Sequence, residues 1–323
     1  MKDTPSSDIM IENIILDSGA AAGELILRRR SFVKFAGALA AHSATHAGGQ
    51  ALSGSVPFRL SVMLWTISPK LPLPQRLELI AQAGYHYVEL TSEYFKWSER
   101  EYGDFNRQCE SLRLSVDTIS GNEEYQSAPV GAVNPRDRGR FLASIQVAID
   151  AARRLNCPHI IVFSGRVAKG VSREKQHQSI VDGLNSAADL AEKHDVKLLL
   201  ENIDLEEDPE YYLWSSVEGF RIIQEVNQPR IRFLYDCYHA QISEGNLIAR
   251  LQKYIDLIAT VHIADVPGRH EPGTGELNFS NIIRKMAELH YSGYVAMEFI
   301  PTGDPVQSLS QAREMTLRAA ASR

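Results

Sequence analysis

Eight short apolar runs recur between Phe58 and Phe299, and segments of helical periodicity separate them. The runs are FRLSVMLW (58–65), HYVEL (86–90), LSVDTIS (114–120), HIIVFS (159–164), KLLLEN (197–202), IRFLYD (231–236), LIATVHIA (257–264) and GYVAMEF (293–299). Most are continuous in Val, Ile and Leu rather than alternating, as expected of parallel strands buried on both faces. Between them, Phe141, Ile145, Ala148, Ile149, Ala152 and Leu155 form one apolar helical stripe, and Ile180, Leu184, Ala187, Ala188 and Ala191 form another. Gly84 follows Leu77, Ile80 and Ala81 where a helix-terminating glycine belongs. Eight such units over roughly 250 residues predict an α/β protein of the (β/α)8 TIM-barrel class. A doubly wound sheet would favour a glycine-rich phosphate loop after the first strand. That place holds Trp65-Thr66-Ile67-Ser68-Pro69.

The barrel is expected to occupy residues 56–323 as a single domain, with residues 1–55 as leader and linker. Arg29 and Arg30, followed by Phe32 and Lys34, then a short apolar stretch and small residues through Ala47 and Ala51, resemble a twin-arginine export signal. The stretch is too short to span a bilayer. The competing reading is an amphipathic start of a domain helix. The export reading implies the twin-arginine machinery as a partner, a periplasmic location and no stable membrane insertion. The formal net charge of -6, with no basic cluster in the body of the chain, speaks against a nucleic-acid partner. Cys109, Cys157 and Cys237 are too scattered for a zinc knuckle or disulfide framework and read as small buried residues.

Four of the runs stop on side chains that bind metals. Glu201 ends LLLE, Asp236 ends IRFLYD, Glu298 follows YVAM, and His262 lies near the end of LIATVHIA. The site of a (β/α)8 barrel lies at the carboxyl ends of its strands, so the fifth to eighth strands would point all four residues into one mouth. Three carboxylates and one imidazole suit a hard or borderline divalent cation, Mg²⁺ or Mn²⁺, the imidazole tilting toward Mn²⁺. Taken singly, each acid could equally be the structural partner of a helix N-terminus or an arginine.

The segments YDCYHAQISEGNL (235–247), HIADVPGRHEPGTGELNF (262–279) and GYVAMEF (293–299) resemble those of the xylose-isomerase-type sugar isomerase and epimerase barrels, and within them the hydroxypyruvate isomerases. The resemblance spans about Phe58 to Pro305. It implies that Glu201 and Glu298 are metal ligands and the acid/base pair. Asp236 would be the metal aspartate, His239 a substrate-contacting histidine and Arg269 an arginine holding a substrate oxygen. One position departs. Hydroxypyruvate isomerases carry Gln three residues before the Asp of the IAD segment; this chain has His262 there, as ketose 3-epimerases do.

Both reactions begin by removing a proton from a carbon beside a carbonyl, to give an enediolate. A divalent ion stabilises the developing oxyanion, and two flanking carboxylates remove and return the proton. The expected function is therefore a metal-dependent isomerase of a small hydroxy-keto acid or sugar, hydroxypyruvate isomerase-like. The alternatives are a ketose 3-epimerase and, in another class, an exported sugar-binding barrel without catalysis. An endonuclease-IV-like enzyme would need a histidine-rich three-zinc cluster, which the acidic chain offers poorly. Relatives are often dimers or tetramers, so a homo-oligomer is one of the readings, and the residues themselves do not fix the oligomeric state.

Some residues stay open. Glu207, six residues after Glu201, is either a substrate ligand or part of a solvated acidic loop with Glu206 and Asp208. Glu89 could face the mouth. Trp65 and Phe95 read as core residues, with the pocket wall as the alternative. His270 and Glu271 fall in a loop expected to cover the site, with turns supplied by Gly268, Gly273 and Gly275.

Overall fold

The structure is a computed structural model that describes residues 56–121 and 131–322; the expected leader and its twin-arginine pattern lie outside them. Eight parallel strands close into a barrel in chain order: β1 (Arg59–Met63), β2 (Tyr87–Leu90), β3 (Ser115–Ser120), β4 (His159–Phe163), β5 (Lys197–Glu201), β6 (Ile231–Asp236), β7 (Ile258–Ile263) and β8 (Tyr294–Met297). β1 closes on β8 through Arg59↔Tyr294 to Val62↔Met297. Each strand lies inside one of the eight predicted runs.

The helices on the outside are α1 (Leu73–Gln82), α2 (Glu99–Leu112), α3 (Arg138–Leu155), α4 (Arg173–Lys193), α5 (Ser216–Val226), α6 (Cys237–Ser243), α7 (Leu247–Tyr254), α8 (Phe279–Glu288) and α9 (Pro305–Ala321). Their starts follow from local chemistry. Ser98 and Glu101 form a reciprocal capping box on α2, and Ser172, Ser215 and Asp304 cap α4, α5 and α9. Gly84, at φ +83, turns the chain out of α1 where an L side chain would be strained. The two predicted stripes are buried in α3 and α4. All three cysteines are free and buried.

Strand pleating divides the core. Leu198 and Leu200 face the helical layer, whereas Leu199 packs inside the barrel with Met63, Ile161, Leu234 and Ala259. Side chains two residues apart share a face. The step from Leu199 therefore carries Glu201 inward, and the step from Leu234 carries Asp236 inward. Past an irregularity at Ala259, where the register of β6 on β7 shifts by one residue, Thr260 to His262 runs inward as Ala296 to Glu298 does, and the register pairs Asp236 with His262 and His262 with Ala296. No helix among the described residues is long and apolar enough to cross a membrane.

Candidate metal centre at the carboxyl-terminal mouth

Glu201, Asp236, His262 and Glu298 each present one ligand atom, and these atoms all lie within 4.8 Å of one another. All four residues are buried. Ligands opposite one another across a small divalent ion at about 2.1 Å sit about 4.2 Å apart. The cluster thus needs only a slight closure to hold one ion, and its donor set fits.

Asp236 shows how the sequence builds the position. It is both the last residue of β6 and the N-cap of α6. Its Oδ1 accepts from the backbone N–H of Tyr238 at 2.7 Å and of His239 at 3.3 Å. That fixes the side chain and leaves Oδ2 facing the site, 3.5 Å from Arg269 Nη2 and from His239 Nε2.

His262 lies between acids on both ring nitrogens. Nδ1 is 2.6 Å from Glu298 Oε2 and Nε2 is 2.8 Å from Glu89 Oε2. Burial alone would push this imidazole down, but the charges of Glu89 and Glu298 outweigh it and raise it well above its usual range. Burial would raise Glu298, yet the Arg269 guanidinium and His262 hold it well below the carboxylate range. Glu201 goes the other way. Burial dominates, His262 only partly offsets it, and the charges of Glu298 and Asp236 add to it, so its carboxyl is pushed up to about 8.

Arg269 is the counter-charge of the mouth. Its guanidinium sits between the rings of Trp65 and Tyr238, at 5.3 and 4.9 Å from their centroids. It reaches Glu207 at 2.6 Å and Glu298 at 3.0 Å. Glu207 is therefore joined to the site, and Asp208 is buried and paired with Arg166 at 2.8 Å. The solvated-loop reading fails for Asp208, whereas Glu207 is solvent-exposed and at the same time paired with Arg269. His239 is held by Asp204, whose Oδ2 lies 2.6 Å from Nδ1. Burial opposes the charged form of His239, but Asp236 and the Asp204 hydrogen bond raise it.

Two loop expectations change. Trp65 is a wall of the site rather than plain core, since its indole N–H donates to Glu298 Oε1 at 2.9 Å. Glu271 turns away from the mouth. Its carboxylate accepts from Thr302 and from the Ser308 hydroxyl, and so ties the loop to the start of α9. His270 likewise contacts the Ile300 carbonyl, which leaves Arg269 as the residue of this loop that enters the site. Asp265 shapes the loop by accepting from the N–H groups of Val266, Gly273 and Leu277. A Cβ on Gly275 would lie 2.1 Å from the Val266 carbonyl oxygen, so only glycine fits there.

Sequence reasoning left Glu89 undecided and did not single out Asp204 or Asp117. Glu89 is fully buried and forms the inner contact of His262; the parity of β2, with Glu89 level with the inward Met63, was the available signal. Below it, burial, then the charge of Glu89 and a hydrogen bond with it, push Asp117 well above the usual carboxylate range. Ser61 donates to the same Asp117. A polar chain thus runs from Glu298 through His262 and Glu89 into the barrel.

The fold and this site define a class, the xylose isomerase-like barrels. The family model described as "Xylose isomerase-like TIM barrel" matches residues 77–319, and the chain belongs to that family. It is 30% identical over 249 residues to a 2-oxo-tetronate isomerase of Haemophilus influenzae, covering 74% of this chain and 92% of that protein. It is 29% identical over 235 residues to the hydroxypyruvate isomerase of Escherichia coli, covering 70% and 87%. Among solved structures, a Brucella melitensis protein described as AP endonuclease, family 2, matches with a TM-score of 0.73 at 26% identity, covering 79% of this chain and 98% of that one. The two named relatives are isomerases, which bears out the expected enzyme class.

Proposed function

We propose that the protein is a metal-dependent isomerase that moves a proton between the carbons of a small hydroxy-keto acid or sugar, with hydroxypyruvate to tartronate semialdehyde as the leading reaction. The observation that carries this reading is the convergence of Glu201, Asp236, His262 and Glu298 within 4.8 Å in a buried mouth. The relatives' names support the same class. Mn²⁺ or Mg²⁺ suits the oxygen-rich set, and a bound ion would stabilise the negative charge that develops on the substrate oxygens.

The chain's own residues supply the rest. Glu298 is held ionised by Arg269 and His262 and is ready to accept a proton. Glu201, poorly solvated, favours holding one in the metal-free protein. With an ion bound it would be ionised, so that either glutamate could accept the substrate proton and return it to carbon. With an ion bound, His262 would keep the proton on Nε2, donated to Glu89, and offer its Nδ1 lone pair to the metal, the ordinary outer contact of a ligating histidine. Arg269, with Glu207 and His239 beside it, would orient substrate oxygens or pair with a substrate carboxylate. Trp65 and Tyr238 keep water off this face of the mouth.

His262 favours a second reading, a ketose 3-epimerase, because an imidazole stands where hydroxypyruvate isomerases carry Gln. An AP endonuclease activity, as in the description of the Brucella protein, gains no support from histidine placement. His159 opens β4 and His86 precedes β2, both at the opposite end of the barrel from His239 and His262. Export by the twin-arginine route to the periplasm stays part of the proposal. It is supported by Arg29, Arg30, Phe32 and Lys34 alone.

The test is to incubate the purified protein and Mn²⁺ with hydroxypyruvate and, separately, with D-fructose and D-tagatose in D₂O. Turnover of hydroxypyruvate supports the leading reaction. Conversion of a ketohexose alone selects the epimerase. Binding with no deuterium uptake into any of the three would leave a sugar-binding barrel.

A further inference from the structure

A second cavity lies at the opposite mouth of the barrel. Its volume is about 720 Å³, and it is lined by the first residues of six strands, Arg59, Tyr87, His159, Lys197, Ile258 and Tyr294, with Arg232 beside them. Along β5, Lys197 is four residues from Glu201, roughly 13 Å at about 3.3 Å per residue. The cavity is thus separate from the metal centre.

Its electrostatics are unbalanced. Arg59, Lys197 and Arg232 all line it, and among the described residues none of the three forms an ion pair. The Arg232 guanidinium donates only to the carbonyls of Gln228 and Ile231, at 2.9 and 2.8 Å. Arg59 reaches only the Ser292 carbonyl and lies over the Tyr294 ring. The one acidic lining residue is Asp256, which is exposed. His159 is 5% exposed, its Nδ1 has no partner, and its ring packs edge-on against Tyr294. Nearby, Arg230, two residues before Arg232, is paired with Glu192 and Asp195. The exposed Arg59 and the half-buried Lys197 and Arg232 give this concave space a positive potential that favours an anion. Burial lowers the Lys197 ammonium, the charges of Arg232 and Arg230 lower it further, and Asp195 offsets them only in part.

We propose that the amino-terminal mouth of the barrel is a binding site for a compact anion of two or more charges, of the phosphate or polycarboxylate class. Arg59 and Arg232 offer guanidinium forks suited to either group, Lys197 adds a point charge, and Tyr87 and Tyr294 floor the site.

Isothermal titration of the full chain with inorganic phosphate, and separately with succinate, at ionic strength held constant with NaCl, tests the proposal. Thermal unfolding is followed in the same solutions. Saturable binding of either anion, a higher Tm than in chloride alone, and at least tenfold weaker binding by both Lys197→Met and Arg232→Gln are expected. Phosphate binding alone assigns the phosphate class; succinate binding alone assigns the carboxylate class. Isomerase turnover should be unchanged in both variants, since neither residue touches the metal centre. Lys197→Gln serves as a second variant should Lys197→Met fold poorly. The proposal is overturned if neither anion binds, or if the folded variants bind as tightly as the parent, which would place the anion elsewhere.

Discussion

Loading the metal-free protein with Mn²⁺ at pH 7 should release about two protons per ion. His262 is raised well above the ordinary imidazole range by Glu89 and Glu298, so it carries two ring protons at neutral pH in the metal-free state. Glu201 is pushed up to about 8. One unit below its pKa a carboxyl is about 90% protonated. A ligating imidazole must be neutral and a ligating carboxylate ionised, so both groups give up a proton as the ion enters. The sign follows: groups with raised pKa hold protons that compete with the metal, and affinity rises with pH. With about two protons displaced, the binding constant should increase by about 100-fold between pH 6 and 7, or about 2.7 kcal/mol. Titration calorimetry at pH 7 in buffers of different ionisation enthalpy reads the proton count as the slope of observed heat against buffer heat. A slope below half a proton, or an affinity flat from pH 6 to 7, would refute the electrostatic account of the site.

Three further outcomes follow from the same geometry. Glu89→Gln removes the charge behind His262 while keeping the shape; Mn²⁺ affinity should drop by about 10–100-fold and proton release should shrink, with far-UV circular dichroism unchanged, and a loss under threefold would make Glu89 a bystander. Arg269→Lys keeps the charge but loses the stacked fork that spans Glu207 and Glu298, so kcat/KM should fall by about 10–150-fold, the worth of one charged hydrogen bond; steady-state kinetics with hydroxypyruvate at saturating Mn²⁺ checks it. Without metal, Tm should decline as pH rises from about 6 to about 8.5, because the folded protein keeps protons on Glu201 and His262 that the unfolded chain has already released, and their contribution is lost as pH rises through the folded pKa values. Differential scanning calorimetry in EDTA would show this, and a Tm rising across that window would contradict it.

The barrel itself was legible in the chain because its determinants are local. Continuous Val/Ile/Leu runs specify doubly buried strands, the 3.6-residue stripes specify their helices, and strand-end position with period-2 parity places Glu201, Asp236, His262 and Glu298 at one mouth. Local too is the cap that Asp236 makes on its own helix. What the sequence alone could not decide are contacts that exist only once the strands close in a ring. Glu89 meets His262 across 173 residues and Trp65 meets Glu298 across 233, and no periodicity encodes such pairs. Glu271, beside Arg269 in the chain, turns to Ser308 rather than the site because loop backbone geometry, not residue type, sets its direction. The opposite protonation tendencies of Glu201 and Glu298 are likewise tertiary. Two glutamates identical in isolation differ because one is desolvated without a sufficient counter-charge while Arg269 and His262 press against the other.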